Sequence, residues 1–507
     1  MSRDSIQFIR QGRVRRVRDF APRTTLLDWL RLEERSTGTK EACAEGDCGA
    51  CTVVLARRRG GRVTYEPVNS CIAFLGQIDG AELITIEDLS RDGVLHPVQA
   101  ALASGHGSQC GFCTPGIVMS LFAHYHRVSE VMNPVAVSRE KIADVLAGNL
   151  CRCTGYRPIV DAAVASLAAP VADGFSQTDP ERLARLRDLE DGEDVFVGDE
   201  TSFFAAPADE ESLAALLEKH PDATIVAGAT DVGLWVTKKL AALPKIVHVG
   251  RVAGLDAVAD TAETLTLGAA LPLGRATPLL GRLDPDVDEL MRRFGSTQVR
   301  TSGTVGGNIA NGSPIGDLAP VLISLGATVE LRKGDRVRTL PLERFFLAYG
   351  KQDREPGEFV RRLVVPKPSA ETRLRVFKIT KRMDEDISAV MGAFAVTLRH
   401  DRIASARVAF GGMAGVPKRA VAVEAALTGA RLADPATWRA AAQKIGEDFS
   451  PLTDQRGTAA YRLQVAKTIV VKALAELAGV PGTATRVRPR ASAGERPNDR
   501  EAAHVAS

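Results

Sequence analysis

Beyond residue 153 this 507-residue chain has no cysteine, although eight stand before that point. Other absences narrow the function classes. The opening stretch MSRDSIQFIRQGRVRR lacks the apolar segment of a secretory signal peptide. No uninterrupted apolar run approaches the roughly 18 residues that a membrane-spanning helix needs. Aromatic residues make up only 5% of the chain, and none interleaves with the basic runs at 10–18 and 57–62. Those runs read as solvated surface or a partner contact, not as a platform for single-stranded nucleic acid. No G-x-G-x-x-G opens a helix with an acidic residue suitably downstream, so a Rossmann fingerprint is missing. Net charge is +3 and 45% of residues are hydrophobic, enough for several cores. A chain of this length is expected to form three or four domains, as a soluble, cytoplasmic protein without nucleic-acid or membrane partners.

The eight cysteines fall into two quartets. Cys43, Cys48 and Cys51 follow C-x4-C-x2-C, with Cys71 at a distance; Cys110 and Cys113 form C-x2-C, answered by Cys151 and Cys153 as C-x-C. Disulfides belong mostly to small secreted domains. Zinc is the better rival, but its sites usually come as paired short knuckles, which neither quartet matches. Two complete sets of four with none left over favour two iron–sulfur clusters.

Local pattern supports this. Two short strands are expected within 5–18 around a turn at Gln11 and Gly12, and an amphipathic helix over Leu26–Leu32. Gly46 and Gly49 let the loop wrap a cluster closely and take positive φ, so that backbone N–H groups reach the sulfurs. Thr52–Leu55 and Val63–Pro67 read as hairpin strands around a turn at 57–62, and CIAFLGQI from Cys71 reads as a buried helix. Four helices are expected between about 97 and 168. They start at Pro97, near Pro115, after a Ser138 cap, and at Pro158. Both later cysteine pairs would thus precede a helix start, where positive potential favours thiolates. His124 and His126 lie two apart on a helix and point to different faces, which argues against a metal site there; His96 and His106 read as surface or capping residues.

The first stretch resembles the plant-type [2Fe–2S] ferredoxin domain, a β-grasp fold. Followed by QCGFCTPG and NLCRCTGYRPI, it is similar to the molybdenum hydroxylases. That resemblance implies a helical-domain cluster beside a molybdenum cofactor, and Gln109 as a hydrogen-bonding contact to its pterin.

After an Ala-, Asp- and Arg-rich stretch at 169–193, read as a linker, strands and helices alternate and two glycine-containing turns stand out: IVAGATDVGLW at 225–235 and TSGTVGGNIANGSPIGDLAP at 301–320. Such turns can expose consecutive backbone N–H groups to a diphosphate. They resemble the FAD-binding domain of the same family, related to the vanillyl-alcohol-oxidase flavin fold. The resemblance implies a first pyrophosphate loop of Ile225, Val226, Ala227, Gly228, Ala229, Thr230, Asp231 and Val232. It implies a second of Thr304, Val305, Gly306, Gly307 and Asn308. Asp317 would bond the ribityl or phosphate region and Phe294 would lie over the isoalloxazine, with Val360 and Lys378 as further contacts. Residues 378–386 match a loop beside the flavin that affects NAD access.

The expected architecture is therefore multi-domain α+β: a ferredoxin domain at 1–88, a four-helix [2Fe–2S] domain at 89–168, the linker, a two-part FAD-binding domain at 194–370, a C-terminal flavoprotein domain at 371–481 and a disordered tail at 482–507. The whole resembles the iron–sulfur and flavin subunit of split xanthine dehydrogenases, which implies a large molybdopterin-binding partner in a heterotetramer and NAD+ as acceptor. No acid–base catalytic residue is assigned. Equivalent subunits acting on an aldehyde or N-heterocycle, and a stand-alone NADH-oxidising reductase, are the alternatives.

Overall fold

The computed structural model describes residues 2–129, 138–167 and 173–483; the start of the expected linker and nearly all of the expected tail lie outside them. The N-terminal unit is a five-stranded mixed sheet in the order Arg13–Val17, Ile6–Arg10, Glu82–Ile84, Thr52–Arg59, Arg62–Asn69. Ile6–Arg10 and Glu82–Ile84 run parallel, which gives the β-grasp arrangement. The long hairpin turns at Gly60 and Gly61, both at positive φ, as a two-residue hairpin loop requires.

Alternation along one strand joins two units. Val53 and Leu55 pack with Leu26, Trp29 and Phe74 beneath the sheet. Val54 and Ala56 face Ile117, Val118, Leu121 and Phe122 of the helix Thr114–Ser129. Helices Pro97–Ser104, Arg139–Leu146 and Arg157–Ser166 complete the helical unit. Ser138 caps the third as expected, accepting from the Lys141 N–H at 3.2 Å.

Three expectations change. Leu26–Leu32 is a short α-turn, Leu26–Asp28, that widens into a π-turn, Trp29–Glu33. The CIAFLGQI stretch is buried but yields only one 3-10 turn, Leu75–Ile78. Its main chain bonds to a neighbouring segment instead, with Leu75 N–H on Thr24 O and Leu26 N–H on Ala73 O. Within the presumed linker, helices Gly174–Gln177 and Asp179–Asp188 pack tightly. Phe175, Leu186 and Leu189 enter the helical core, and a buried arginine ties them in: Arg182 donates to Glu82, Tyr65, Asp179 and the Phe175 carbonyl at 2.6–3.0 Å.

The flavin-type unit has a five-stranded sheet, Ser2–Arg3, Asp194–Gly198, Phe203–Ala206, Lys245–His248, Thr224–Val226, so the chain's first strand pairs with it. A second, antiparallel sheet carries Val258–Asp260, Thr264–Gly268, Phe359–Pro366, Thr328–Lys333 and Arg336–Pro341. The last unit is a four-stranded antiparallel sheet backed by the helix Ala459–Leu477. Its strands Val390–Arg399 and Arg402–Gly411 extend those expected at 393–398 and 406–410.

His96 caps its helix: Nδ1 accepts the Val98 N–H at 3.2 Å, which places the ring proton on Nε2, 2.7 Å from Asp173. His126 reaches the same carboxylate at 3.1 Å. These three side chains cluster closely enough to suggest a metal, but His96 turns an N–H and not a lone pair toward the cluster. It is a structural knot that ties residues 173–190 to the helical unit. Burial opposes ionisation of Asp173, yet the two histidines outweigh it and hold the carboxyl well below its ordinary range. Its contribution to stability is therefore present above the unfolded-state pKa and is lost as pH falls toward the folded one. Asp173→Asn is expected to cost about 2 kcal/mol at pH 7, with the gap from wild type narrowing below about pH 4; urea denaturation across that range measures it.

Candidate functional site

The fold gathers the eight cysteines into the two quartets read from spacing. None of them forms a disulfide. In the first, Cys43 bonds the thiols of Cys48 and Cys71, and Cys51 bonds Cys71. Those shared protons pull Cys43 and Cys51 down and push Cys48 and Cys71 up. In the second, Cys113 meets Cys151 and Cys110 meets Cys153. Burial first, then Cys151, pushes Cys113 up to about 12. Four converging sulfurs in each set fit a cluster as ligand shell. Backbone N–H groups are aimed at them: Cys48 N–H lies 3.4 Å from Cys43 Sγ. Gly46 and Gly49 take the positive φ expected of them.

The quartets differ in exposure. Cys48, Cys51 and Cys71 are buried, whereas Cys110 and Cys153 are exposed, and Phe112 and Leu150 beside them are 46% and 59% exposed. Gln109 is exposed on the same rim.

The two cysteine loops touch directly. Leu150 N–H donates to Cys48 O at 2.9 Å and the Asn149 amide to Gly49 O at 3.2 Å. Gln298, fully buried, places Nε2 within 3.0–3.2 Å of the Thr52 and Ser120 hydroxyls and the Asn149 carbonyl oxygen, three acceptors sharing its two protons, so one amide joins three units. On its other side the first loop meets the helix Val232–Thr237: Thr237 Oγ1 donates to Ala44 O at 2.7 Å and Lys238 to Cys43 O. Gln77 reaches Ala227 O at 2.8 Å.

That helix borders a cleft of about 470 Å³ between the two flavin-type sheets. Of the residues expected at a cofactor, Ile225, Ala227–Val232, Phe294, Thr304, Gly306, Gly307, Asn308 and Val360 line it. Val226 and Val305 turn their side chains into the core. Among the described residues, the N–H groups of 228 to 232 donate to nothing in the protein, and Ala229 takes φ 58°. Successive N–H groups without a protein acceptor are the kind of donors that a diphosphate can take up. The orphaned, buried Asn308 Oδ1 adds a polar group without a partner.

The second expected loop differs in kind. Thr304 caps the helix Val305–Asn311. The N–H groups of Val305, Gly306, Gly307 and Asn308 go to Leu271 O, Ala269 O, Thr304 Oγ1 and Thr304 O. Its contribution to the cleft is close approach and the Asn308 amide, not free N–H groups. Asp317 and Lys378 pair with each other, Ser388 donates to the other Asp317 oxygen, and neither is among the residues that line the cleft.

Sequence reasoning missed the supporting polar side chains. Thr154 lies 3.1 Å from Cys151 Sγ, Tyr156 OH accepts the Cys151 N–H at 2.9 Å, and the Asn69 amide fixes Gly46 O at 2.7 Å. Only the C-x-C-T-G-Y run hinted at the first two. A Cβ at Gly228 would overlap Ser302 O. Gly228→Ala is therefore expected to cut the bound flavin-to-iron ratio at least several-fold while iron content holds; an unchanged ratio would remove this loop from the cofactor site.

Comparison with known proteins agrees with this geometry. Three family profiles match: a [2Fe-2S] binding domain at 85–164, the FAD binding domain in molybdopterin dehydrogenase at 199–368, and the CO dehydrogenase flavoprotein C-terminal domain at 375–477. The chain is 31% identical to xanthine dehydrogenase of Emericella nidulans over 523 aligned residues, covering 91% of this chain and 38% of that protein. It is 31% identical to xanthine dehydrogenase/oxidase of Rattus norvegicus, covering 82% and 34%. It thus spans under two-fifths of the length of these relatives. Among solved structures, a carbon monoxide dehydrogenase chain from Hydrogenophaga pseudoflava matches with TM-score 0.51 and 26% identity over 53% of this chain and 94% of that one. A quinoline 2-oxidoreductase chain from Pseudomonas putida 86 matches with TM-score 0.50 and 25% identity over 54% and 95%. Converging thiol quartets, a diphosphate-shaped loop and this pattern of relatives place the chain in the molybdenum hydroxylase family, as an iron–sulfur and FAD-binding unit homologous to the N-terminal region of xanthine dehydrogenase.

Proposed function

We propose that this chain is the electron-transfer subunit of a xanthine dehydrogenase, taking electrons from purine hydroxylation on a large molybdopterin-binding partner and delivering them to NAD+. The expected domain limits and site residues, Asp317 and Lys378 among them, belong to this proposal. When bound, two [2Fe–2S] clusters supply one-electron carriers and FAD the exchange between single electrons and hydride. Cys43, Cys48, Cys51 and Cys71 would hold one cluster, and Cys110, Cys113, Cys151 and Cys153 the other. The loop at 228–232 and Asn308 would hold the flavin.

The observation that carries the reading is the position of the first cysteine loop. It bonds the second loop through Cys48 O and the cleft-bordering helix through Ala44 O and Cys43 O. The chain's own groups therefore fix an order: exposed quartet, buried quartet, cleft. Cys48, Cys51 and Cys71 of the middle member are buried and Cys43 is half-buried, and Gln298 holds both loops against the flavin unit. The exposed Phe112 and Leu150 beside Cys113 and Cys151 give the outer quartet an apolar rim of the sort that anchors a partner.

A second reading, the equivalent subunit for an N-heterocycle or aldehyde, is favoured by the match to quinoline 2-oxidoreductase. Anaerobic absorbance titration of the purified complex separates the two. Xanthine is expected to bleach the cluster and flavin bands, and NAD+ to restore them. Bleaching by quinoline or an aldehyde but not by xanthine would overturn the purine assignment. Phe112→Asp with Leu150→Asp is expected to weaken assembly with the large subunit at least ten-fold in sedimentation, with the flavin-to-iron ratio unchanged.

A further inference from the structure

The flavin-type cleft is poor in charge. Of the residues that line it, two carry charge, Asp231 and Arg354. They enter from opposite sheets. Asp231 ends the loop that follows the strand Thr224–Val226 of the first sheet, and its carboxylate accepts the Trp235 indole N–H at 3.1 Å. Arg354 lies in the turn before the strand Phe359–Pro366 of the second sheet, whose Phe359 and Val360 also line the cleft.

That turn fixes Arg354 without giving it a carboxylate. Its main-chain N–H donates to Gln352 O at 2.9 Å, and Nη1 donates to Glu358 O at 2.7 Å. The second acceptor is a carbonyl, so the bond uses one proton and neutralises nothing. Neighbouring carboxylates are engaged with other cations. Asp353 and Glu358 pair with Arg338, and Glu355 pairs with Lys333 and Arg336. Glu358, the carboxylate whose field reaches Arg354, gives both oxygens to Arg338 at 2.7 Å. Among the described residues Arg354 forms no ion pair, and its Nε and Nη2 have no protein acceptor.

A flavin dinucleotide brings two negative charges on its diphosphate. The N–H groups of 228–232 offer dipoles but no net charge, and Asp231 adds a further negative charge at the same loop. Such a balance calls for a cation. Lys378, the cation expected at the cofactor, is already paired with Asp317 and is not among the lining residues. A guanidinium with nitrogens still to donate suits phosphate oxygens. On the reading of this cleft as the flavin site, we propose that Arg354 is the counter-charge to the cofactor's diphosphate, closing on it from the sheet opposite the loop.

The test is fluorescence titration with FAD of the full chain, stripped of flavin but retaining its iron. Arg354→Gln is expected to weaken FAD binding about ten-fold. Iron content and the urea midpoint of the stripped chain should not change, because the residue is exposed on its turn. Arg354→Lys keeps the charge and loses the fork, and should weaken binding only about three-fold. Rising ionic strength should weaken binding more steeply in the wild type than in Arg354→Gln. Unchanged FAD affinity in Arg354→Gln would overturn the proposal and leave the cleft as the flavin site. Equal losses in Arg354→Gln and Arg354→Lys would overturn it too, by assigning the side chain to packing. So would wild-type affinity that does not respond to ionic strength, a result that needs no variant to fold. A wild-type chain that takes up no FAD, or Gly228→Ala that takes it up as well as the wild type, would overturn the reading of the cleft and the proposal with it.

Discussion

Everything functional in this molecule depends on main chain touching main chain where the two cysteine loops meet. A Cβ at Gly49 would overlap Gly148 O, one at Gly116 would overlap Gly49 O, and one at Gly148 would overlap Ser296. The ferredoxin-type, helical and flavin-type units therefore approach to a distance that side chains would forbid. What fills the junction is polar: the Asn149 and Gln298 amides, Thr52 and Ser120. Buried amides are costly unless bonded, and once bonded they permit one arrangement. The junction thus trades some hydrophobic stabilisation for a fixed geometry, which is what transfer between two centres needs.

The units are held there by strands that serve two cores at once. Thr52–Arg59 sends Val53 and Leu55 to one side and Val54 and Ala56 to the other. Phe203–Ala206 repeats the device: Phe203 and Ala205 enter the flavin-type core, while Phe204 and Ala206 pack against the ferredoxin-type unit. Phe204 lies so close to Gly76 that a Cβ there would overlap its ring. The period-two geometry of a strand thus stacks helical bundle, sheet, sheet and flavin-type core as continuous layers. Flexible linkers could not keep three centres in register; shared strands can.

Much of this was legible in sequence because the constraints were local. Cysteine spacing, Pro97 and Pro158 at helix starts, the Ser138 cap and the glycine turn before Val232 each act within a few residues. Where contacts are distant, sequence pattern misled or was silent. CIAFLGQI has the apolar content of a buried helix, but the Leu75 N–H goes to Thr24 O and the Ala73 carbonyl takes the Leu26 N–H, across the fold. Residues 173–190 carry few large apolar side chains, and beside the buried Phe175, Leu186 and Leu189 their packing rests on Arg182 finding Glu82 and Tyr65, about a hundred residues away. Thr304–Asn308 looks like a loop of free N–H groups, yet Leu271 and Ala269 consume two of them. Nothing in the sequence says that Asp317 and Lys378, 61 residues apart, pair with each other.

The asymmetry between the quartets then acquires a physical meaning. A cluster buried on all sides responds to fixed N–H dipoles and low local polarity, while one at a surface responds also to whatever covers it. Cys51 and Cys71 are closed in by this chain alone, at 2% and 3% exposure, so their environment is set when the chain folds. Cys110 and Cys153 stand open beside Phe112 and Leu150. The large subunit's surface would complete their environment in the proposed assembly. In the proposed assembly, docking would therefore tune the outer centre while leaving the inner one unchanged, so the driving force between them would be set by the complex and not by either chain.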